Sequence, residues 1–132
     1  MKKVVCGKMY DGITPVLQSN MQILIDGKYI LEVGHNLPCP ANTELIDLSD
    51  MTVTPGMIDA HIHPEFFTYL DVYRDTIYNS SGYRALATYH TAEKALYGGF
   101  TTIRSMGWFR ESHELDVKRA VDSGFLPGAR MI

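Results

Sequence analysis

The pattern of apolar and polar positions divides the chain at Pro55-Gly56. Before this point, short alternating runs of apolar residues predict β-strands, because strand side chains alternate between two faces. Asp26-Gly27 stands between two such runs and predicts a hairpin turn. Since no run has a helical period, residues 1–55 are typical of a segment of a small β-sandwich or barrel. The predicted strands are 3–9, 21–25, 28–33, 44–48 and 51–53.

After residue 55 the pattern alternates between strands and helices. The first helix is predicted to start at Ser80 or Ser81, to carry one apolar stripe, and to end before Gly98-Gly99. This β-α-β-α-β order implies parallel strands joined by helical crossovers. The interval 65–78 is rich in aromatic residues and predicts a long loop. The predicted elements are a strand at 57–63, a helix at 80–97, a strand at 101–103, a helix at 112–123 and a strand from 129.

Composition and charge exclude several classes of protein. Apolar residues make up 45% of the chain, charged residues make up 20%, and the formal net charge is −3. This charge provides no basic surface for nucleic acid or an anionic membrane, and no apolar run approaches the ~20 residues of a membrane span. Cys6 and Cys39 lack the spacing of a redox or metal motif, which favours two free thiols in a reducing compartment. We therefore expect a cytoplasmic protein.

Two histidines on the predicted strand 57–63 are candidate metal ligands. His61 and His63 are two residues apart, so both imidazoles project from one side of the strand, roughly 6–7 Å apart along the backbone. Zinc and similar divalent ions bind imidazole nitrogens. A pair of core or solvated histidines is the alternative. Asp59 lies on the same face, either as a hydrogen-bond partner of the site or as a polar filler, whereas Ile58, Ala60 and Ile62 are expected to face covering helices.

The residues around this pair resemble a known family. The run 53–63, Val-Thr-Pro-Gly-Met-Ile-Asp-Ala-His-Ile-His, resembles the entry signature of the amidohydrolase superfamily, whose first barrel strand carries a Pro-Gly-hydrophobic-Ile-Asp-X-His-X-His segment. Residues 99–104 are similar to the second strand of its prolidase-like and imidazolonepropionase-like branches, and 128–130 to the start of the third. Ser105 departs from the Asp that commonly follows in those branches.

The resemblance implies a fold. It is an α/β architecture, with the N-terminal part of a small β-sandwich at 1–55 and the first β-α-β-α-β units of a TIM-type (β/α)8 barrel at 56–132. Three of eight strands are encoded, and a full barrel takes about 250 residues. We therefore expect a truncated barrel that is catalytically silent by itself. Its open sheet edge favours self-association.

The resemblance also implies an activity. It is metal-dependent hydrolysis of a C–N bond in a small molecule, a dipeptide or a cyclic amide, through metal-activated water. His61 and His63 would bind a divalent metal, zinc by preference, with one or two ions in the complete enzyme. No other catalytic or cofactor-binding residue is assigned in this chain.

The sequence is also compatible with two other functions. The chain is either a piece of such an enzyme or a non-catalytic truncated homologue that serves as a binding or assembly module. Within the enzyme class, deamination of a nucleobase-like ring is a further alternative.

The other histidines, Arg104 and the two cysteines are not expected to bind the metal. His90 is expected to be structural, and His35 and His113 to be solvated. Arg104 is predicted to form a buried ion pair or to meet a substrate carboxylate. Neither cysteine is expected to act as a nucleophile.

Overall fold

The computed structural model describes residues 1–66, 77–107 and 112–132. Most of the predicted long loop at 65–78 lies outside the described residues. The chain forms two compact units, Met1–Pro55 and Gly56–Ile132. Among the described residues, no helix is long and apolar enough to cross a bilayer.

The first unit is a mixed five-stranded sheet. Strand β1 is central, since it pairs antiparallel with β2 and β3 and parallel with β5. The two runs predicted at 44–48 and 51–53 form one continuous strand, and Gln18–Ser19 adds a short strand that the sequence pattern does not indicate. The strands are β1 (Lys2–Met9), β2 (Gln18–Ser19), β3 (Gln22–Asp26), β4 (Tyr29–Gly34) and β5 (Glu44–Val53).

The predicted hairpin joins β3 and β4. Gly27 has a φ of 55°, a left-handed conformation that glycine adopts without steric cost, and the two strands pair antiparallel through Asp26 and Tyr29. The buried cluster of this sheet contains Val4, Cys6, Met9 and Met21. Because this unit has one sheet, the sandwich remains a prediction.

In the part of the chain that the structure describes, the second unit comprises a three-stranded parallel sheet and the two helices named below, which confirms the mixed α/β class. The strand order is β6-β7-β8, and each neighbouring pair is parallel, as the alternating pattern predicts. The elements are β6 (Met57–Ile62), α1 (Ser81–Tyr97), β7 (Phe100–Ser105), α2 (His113–Asp122) and β8 (Arg130–Met131). Closure of these elements into a barrel remains a prediction.

Helix α1 packs its apolar face on this sheet. The Ser80 hydroxyl caps the helix by accepting a hydrogen bond from the Tyr83 amide at 3.3 Å, and the helix ends at Gly98. The predicted stripe contacts the core, with Ala92 fully buried. The core of the unit consists of Ala92, Ile103, Val117, Ala129 and Met131.

Strand β6, which carries the two candidate ligands, lies at one end of this sheet. Its first residues approach β7 closely, because a Cβ on Gly56 would collide with the Thr101 side chain. The other face of β6 was expected to be covered, yet Ile58 is 64% exposed and Ala60 is exposed, whereas Ile62 packs against the core. Helix α1 packs against β7, and among the described residues nothing covers this face of β6 at Ile58 and Ala60.

Candidate metal centre

His61 and His63 lie together at the carboxyl end of β6. Their ring centroids are 5.7 Å apart, and the ring planes are inclined by 72°. His63 follows Ile62, the last residue of the strand. Two imidazoles at this separation leave room for an ion within reach of a nitrogen from each ring, since a zinc–nitrogen bond is about 2.0–2.1 Å long.

The orientation of the His63 ring is fixed by a backbone contact. Its Nδ1 lies 2.9 Å from the carbonyl oxygen of Gly107, in the loop after β7. Because a carbonyl oxygen accepts and never donates, Nδ1 carries the proton, and Nε2 presents the lone pair of the neutral ring. Histidine ligands of metals are commonly held in this way. The Phe66 ring stacks on His63 with a centroid distance of 5.3 Å. The residues present therefore fit the metal that the resemblance implies.

Asp59 contacts the backbone of the site. Its Oδ1 accepts a hydrogen bond from the amide of His61 at 3.1 Å. The carboxylate thus stabilises the strand at the residue that carries the first imidazole.

Ser105 links helix α2 to the loop after β7, whose Gly107 carbonyl contacts His63. The Ser105 hydroxyl accepts a hydrogen bond from the Gly107 amide at 3.1 Å and donates one to Glu114 Oε2 at 2.5 Å. Ser105 is the residue that departs from the family pattern. Here its hydroxyl connects the end of β7, the Gly107 peptide and a carboxylate of α2.

His113 was predicted to be solvated, and this prediction is wrong. The residue is 4% exposed, and its Nε2 lies 2.8 Å from Glu65 Oε2. Burial raises the pKa of the Glu65 carboxyl; the negative charge of Glu114 adds to this, and the hydrogen bond from His113 opposes it. The pair is 48 residues apart in sequence, so no local spacing reveals it, although His113 stands at the predicted start of a helix.

Glu114 extends this pair to a group of three possible ligands. One ligand atom from each of Glu65, His113 and Glu114 lies within 4.8 Å of the other two. Carboxylate and imidazole groups are ligands that zinc accepts. Sequence reasoning missed this group because its members come from the segment after β6 and from the start of α2.

The other candidates lie elsewhere. Arg104 is exposed, so the predicted buried ion pair is wrong. His35 is exposed, as expected, and its Nδ1 lies 3.1 Å from the Asn20 carbonyl. Cys6 and Cys39 are free thiols, and burial raises the pKa of Cys6. His90 is half-buried on α1.

Known proteins resemble this chain in sequence. The sequence profile of the amidohydrolase family matches residues 52–132. A dihydroorotase of Citrifermentans bemidjiense is 43% identical over 47 residues, which are 36% of this chain and 11% of the relative. A dihydroorotase of Pelobacter propionicus is 31% identical over 93 residues, which are 68% of this chain and 18% of that protein.

The structural comparison covers nearly all of the chain. The crystal structure of a Xaa-Pro dipeptidase with methionine bound in its active site superposes with a TM-score of 0.87 and 29% sequence identity. The match covers 99% of this chain and 32% of the dipeptidase chain. The chain thus spans about a third of that protein and less than a fifth of the dihydroorotases in the matched regions.

Proposed function

Because the chain belongs to the amidohydrolase family, we propose that His61 and His63 are ligands of the divalent metal of a hydrolase that cleaves carbon–nitrogen bonds. The observation that carries this proposal is the 5.7 Å separation of the two rings at the end of β6. Parallel α/β folds carry their chemistry at this end of the strands. The hydrogen bond between His63 Nδ1 and the Gly107 carbonyl supports a role as a ligand through Nε2.

The residues of this chain would hold the ion and the backbone around it. A divalent ion in such a site polarises a carbonyl oxygen and lowers the pKa of water, which is the chemistry that C–N hydrolysis needs. The Gly107 carbonyl keeps the proton of His63 on Nδ1, and Asp59 binds the amide of His61. The first contact orients the His63 ring, and the second holds the backbone that carries the His61 side chain.

The substrate class is proposed by analogy with the relatives. Their names describe a dihydroorotase, which acts on a cyclic amide, and a Xaa-Pro dipeptidase, which acts on a dipeptide. We propose that the substrate is a small molecule of one of these two classes. Zinc is the proposed ion because it accepts neutral imidazole ligands.

The chain is expected to be inactive by itself. Catalytic zinc sites typically have three protein ligands, and His61 and His63 provide two. Zinc-dependent hydrolysis of a Xaa-Pro dipeptide or of dihydroorotate by the purified 132-residue chain would contradict this expectation.

Zinc titration of the purified chain tests the proposed ligands. Calorimetry of the wild type is expected to give zinc binding that His61→Ala or His63→Ala weakens at least tenfold. His35→Ala serves as the matched control, because His35 is exposed and lies in the first unit. Unchanged affinity in both site variants would reject the proposal. In that case a non-catalytic role would explain the chain better.

We also expect the chain to associate with itself. Strand β6 is an end strand, and Ile58 on it is 64% exposed. An unpaired strand edge with exposed apolar residues favours pairing with a second copy. Light scattering at increasing concentration should therefore show a mass above that of the monomer, and a monomer at all concentrations would contradict this.

The two free thiols support the proposed cytoplasmic location.

A further inference from the structure

We propose that Glu65, His113 and Glu114 form a second divalent cation site, which shares no ligand with His61 and His63. The ligand atoms of the three residues lie within 4.8 Å of one another. The site joins the segment after β6 to the first turn of α2. This inference is independent of the proposed function, because it concerns different side chains.

The burial of the group argues for a ligand. Glu65 is 8% exposed and His113 is 4% exposed. Burying an ionised carboxylate is costly unless another charge compensates it. Here two carboxylates lie within ligand distance of each other and of one imidazole.

The polar atoms of the group are incompletely satisfied. Glu65 Oε1, His113 Nδ1 and Glu114 Oε1 are buried and have no hydrogen-bond partner among the described residues. Buried polar atoms nearly always have one, and two carboxylate oxygens cannot satisfy each other without a proton or a cation. The other Glu114 oxygen, Oε2, already accepts a hydrogen bond from Ser105.

Charge and ligand type together indicate a divalent ion. With a neutral imidazole, the two carboxylates carry a charge that one divalent cation neutralises. One nitrogen and two carboxylate ligands form a set that zinc and other divalent metals of its series accept. Because His113 Nε2 donates to Glu65 Oε2 at 2.8 Å, the lone pair of the neutral ring is on Nδ1, which is buried without a hydrogen-bond partner among the described residues.

The start of α2 affects the strength of the site. The helix dipole places partial positive charge near its first turn, which stabilises the Glu114 carboxylate and opposes a cation. We therefore expect the two carboxylates to dominate binding.

The stoichiometry of zinc binding tests the inference. With zinc chloride in equilibrium dialysis, the wild-type chain is expected to bind two equivalents, and the double variant His61→Ala/His63→Ala one. Adding Glu114→Gln to the double variant should weaken the remaining site at least tenfold. The matched control is Asp116→Asn on the same background, since Asp116 is an exposed carboxylate of the same helix, and this change should leave the site intact.

A spectroscopic measurement on the double variant tests the inference even if the chain with Glu114→Gln added does not fold. X-ray absorption at the zinc edge of the folded double variant should give one imidazole among oxygen ligands. No zinc binding by a double variant with native circular dichroism would overturn the inference, as would equal losses from Glu114→Gln and Asp116→Asn. If the double variant instead retains both equivalents, the proposed function fails while this inference stands.

Discussion

His113 Nε2 lies 2.8 Å from Oε2 of Glu65, and both residues are buried. This contact joins the first residue of α2 to the segment immediately after β6. Glu65 is two residues beyond His63. The buried pair therefore helps to fix the part of the chain in which the proposed metal ligand lies.

Removing one member of this pair should destabilise the protein. His113→Ala leaves a buried carboxyl group without its partner, and we expect the free energy of unfolding to fall by about 3 kcal/mol. Urea denaturation monitored by circular dichroism measures this. His35→Ala is the control and should change the stability little, because His35 is exposed. Equal small effects of both substitutions would contradict the structural importance of the pair.

Removing the Ser105 hydroxyl should make the orientation of the His63 ring less well defined. Ser105→Ala loses the hydrogen bond from the Gly107 amide and the one to Glu114. We expect the affinity of the His61–His63 site for zinc to fall about tenfold, and the Nδ1-protonated form of His63 to lose population in nitrogen-15 NMR spectra.

The control for this change is Ser123→Ala. The Ser123 hydroxyl is exposed and donates to the Ala120 carbonyl at the end of α2, so neither the zinc affinity nor the His63 spectrum should change. A Ser105→Ala chain that keeps the wild-type His63 spectrum would show that the Gly107 contact does not need this hydroxyl.

Gly56 should tolerate no side chain. A Cβ at this position would collide with the Thr101 side chain, so we expect Gly56→Ala to lower the free energy of unfolding by about 1–3 kcal/mol. In contrast, Gly82 lies in the first turn of α1, where the nearest neighbour of an added Cβ would be the Ser80 hydroxyl at 3.8 Å. Gly82→Ala should be neutral or stabilising. The same loss from both substitutions in urea denaturation would argue against close approach of β6 and β7 at Gly56.

The stability of the first unit should depend on pH through the carboxyl group of Asp11. A hydrogen bond from the Thr14 hydroxyl at 2.5 Å, followed by those from the Ile13 and Thr14 amides, holds the pKa of this carboxyl well below its ordinary value of 3.8. Because the folded pKa is lowered, the stabilisation is complete above the ordinary value and is lost as the pH falls below it.

Substitution of Thr14 tests this assignment. Thr14→Val removes the largest contribution and should raise the pKa of Asp11, as measured by carbon-13 NMR of the carboxyl group during acid titration. Thr14→Ser keeps the hydroxyl and should retain the low value. An equal pKa in both variants would contradict the role of the hydroxyl.

The sequence predicted the secondary-structure elements better than the burial of their side chains. The hairpin at Asp26-Gly27 and the parallel order of β6, β7 and β8 followed from turn chemistry and from periodicity, which are local properties. The exposure of Ile58 was missed because the burial of a strand face depends on which elements pack against it. Pattern alone does not distinguish an end strand from a central one.

The candidate site was predictable in part. The pair His61 and His63 is visible in sequence because spacing along one strand determines which side chains share a face. The Gly107 carbonyl and the pair of Glu65 with His113 join segments more than 40 residues apart. Such contacts arise from tertiary packing, which a single sequence does not encode in any local signal.

Nitrogen-15 NMR of the imidazole rings during zinc titration shows whether His61 and His63 bind the same ion. We expect the Nε2 resonance of His63 and one ring nitrogen of His61 to shift together and to saturate at the same zinc concentration, while His35 stays unchanged. If zinc leaves both His61 and His63 resonances at their metal-free positions, or shifts one without the other, these two residues do not form a metal centre.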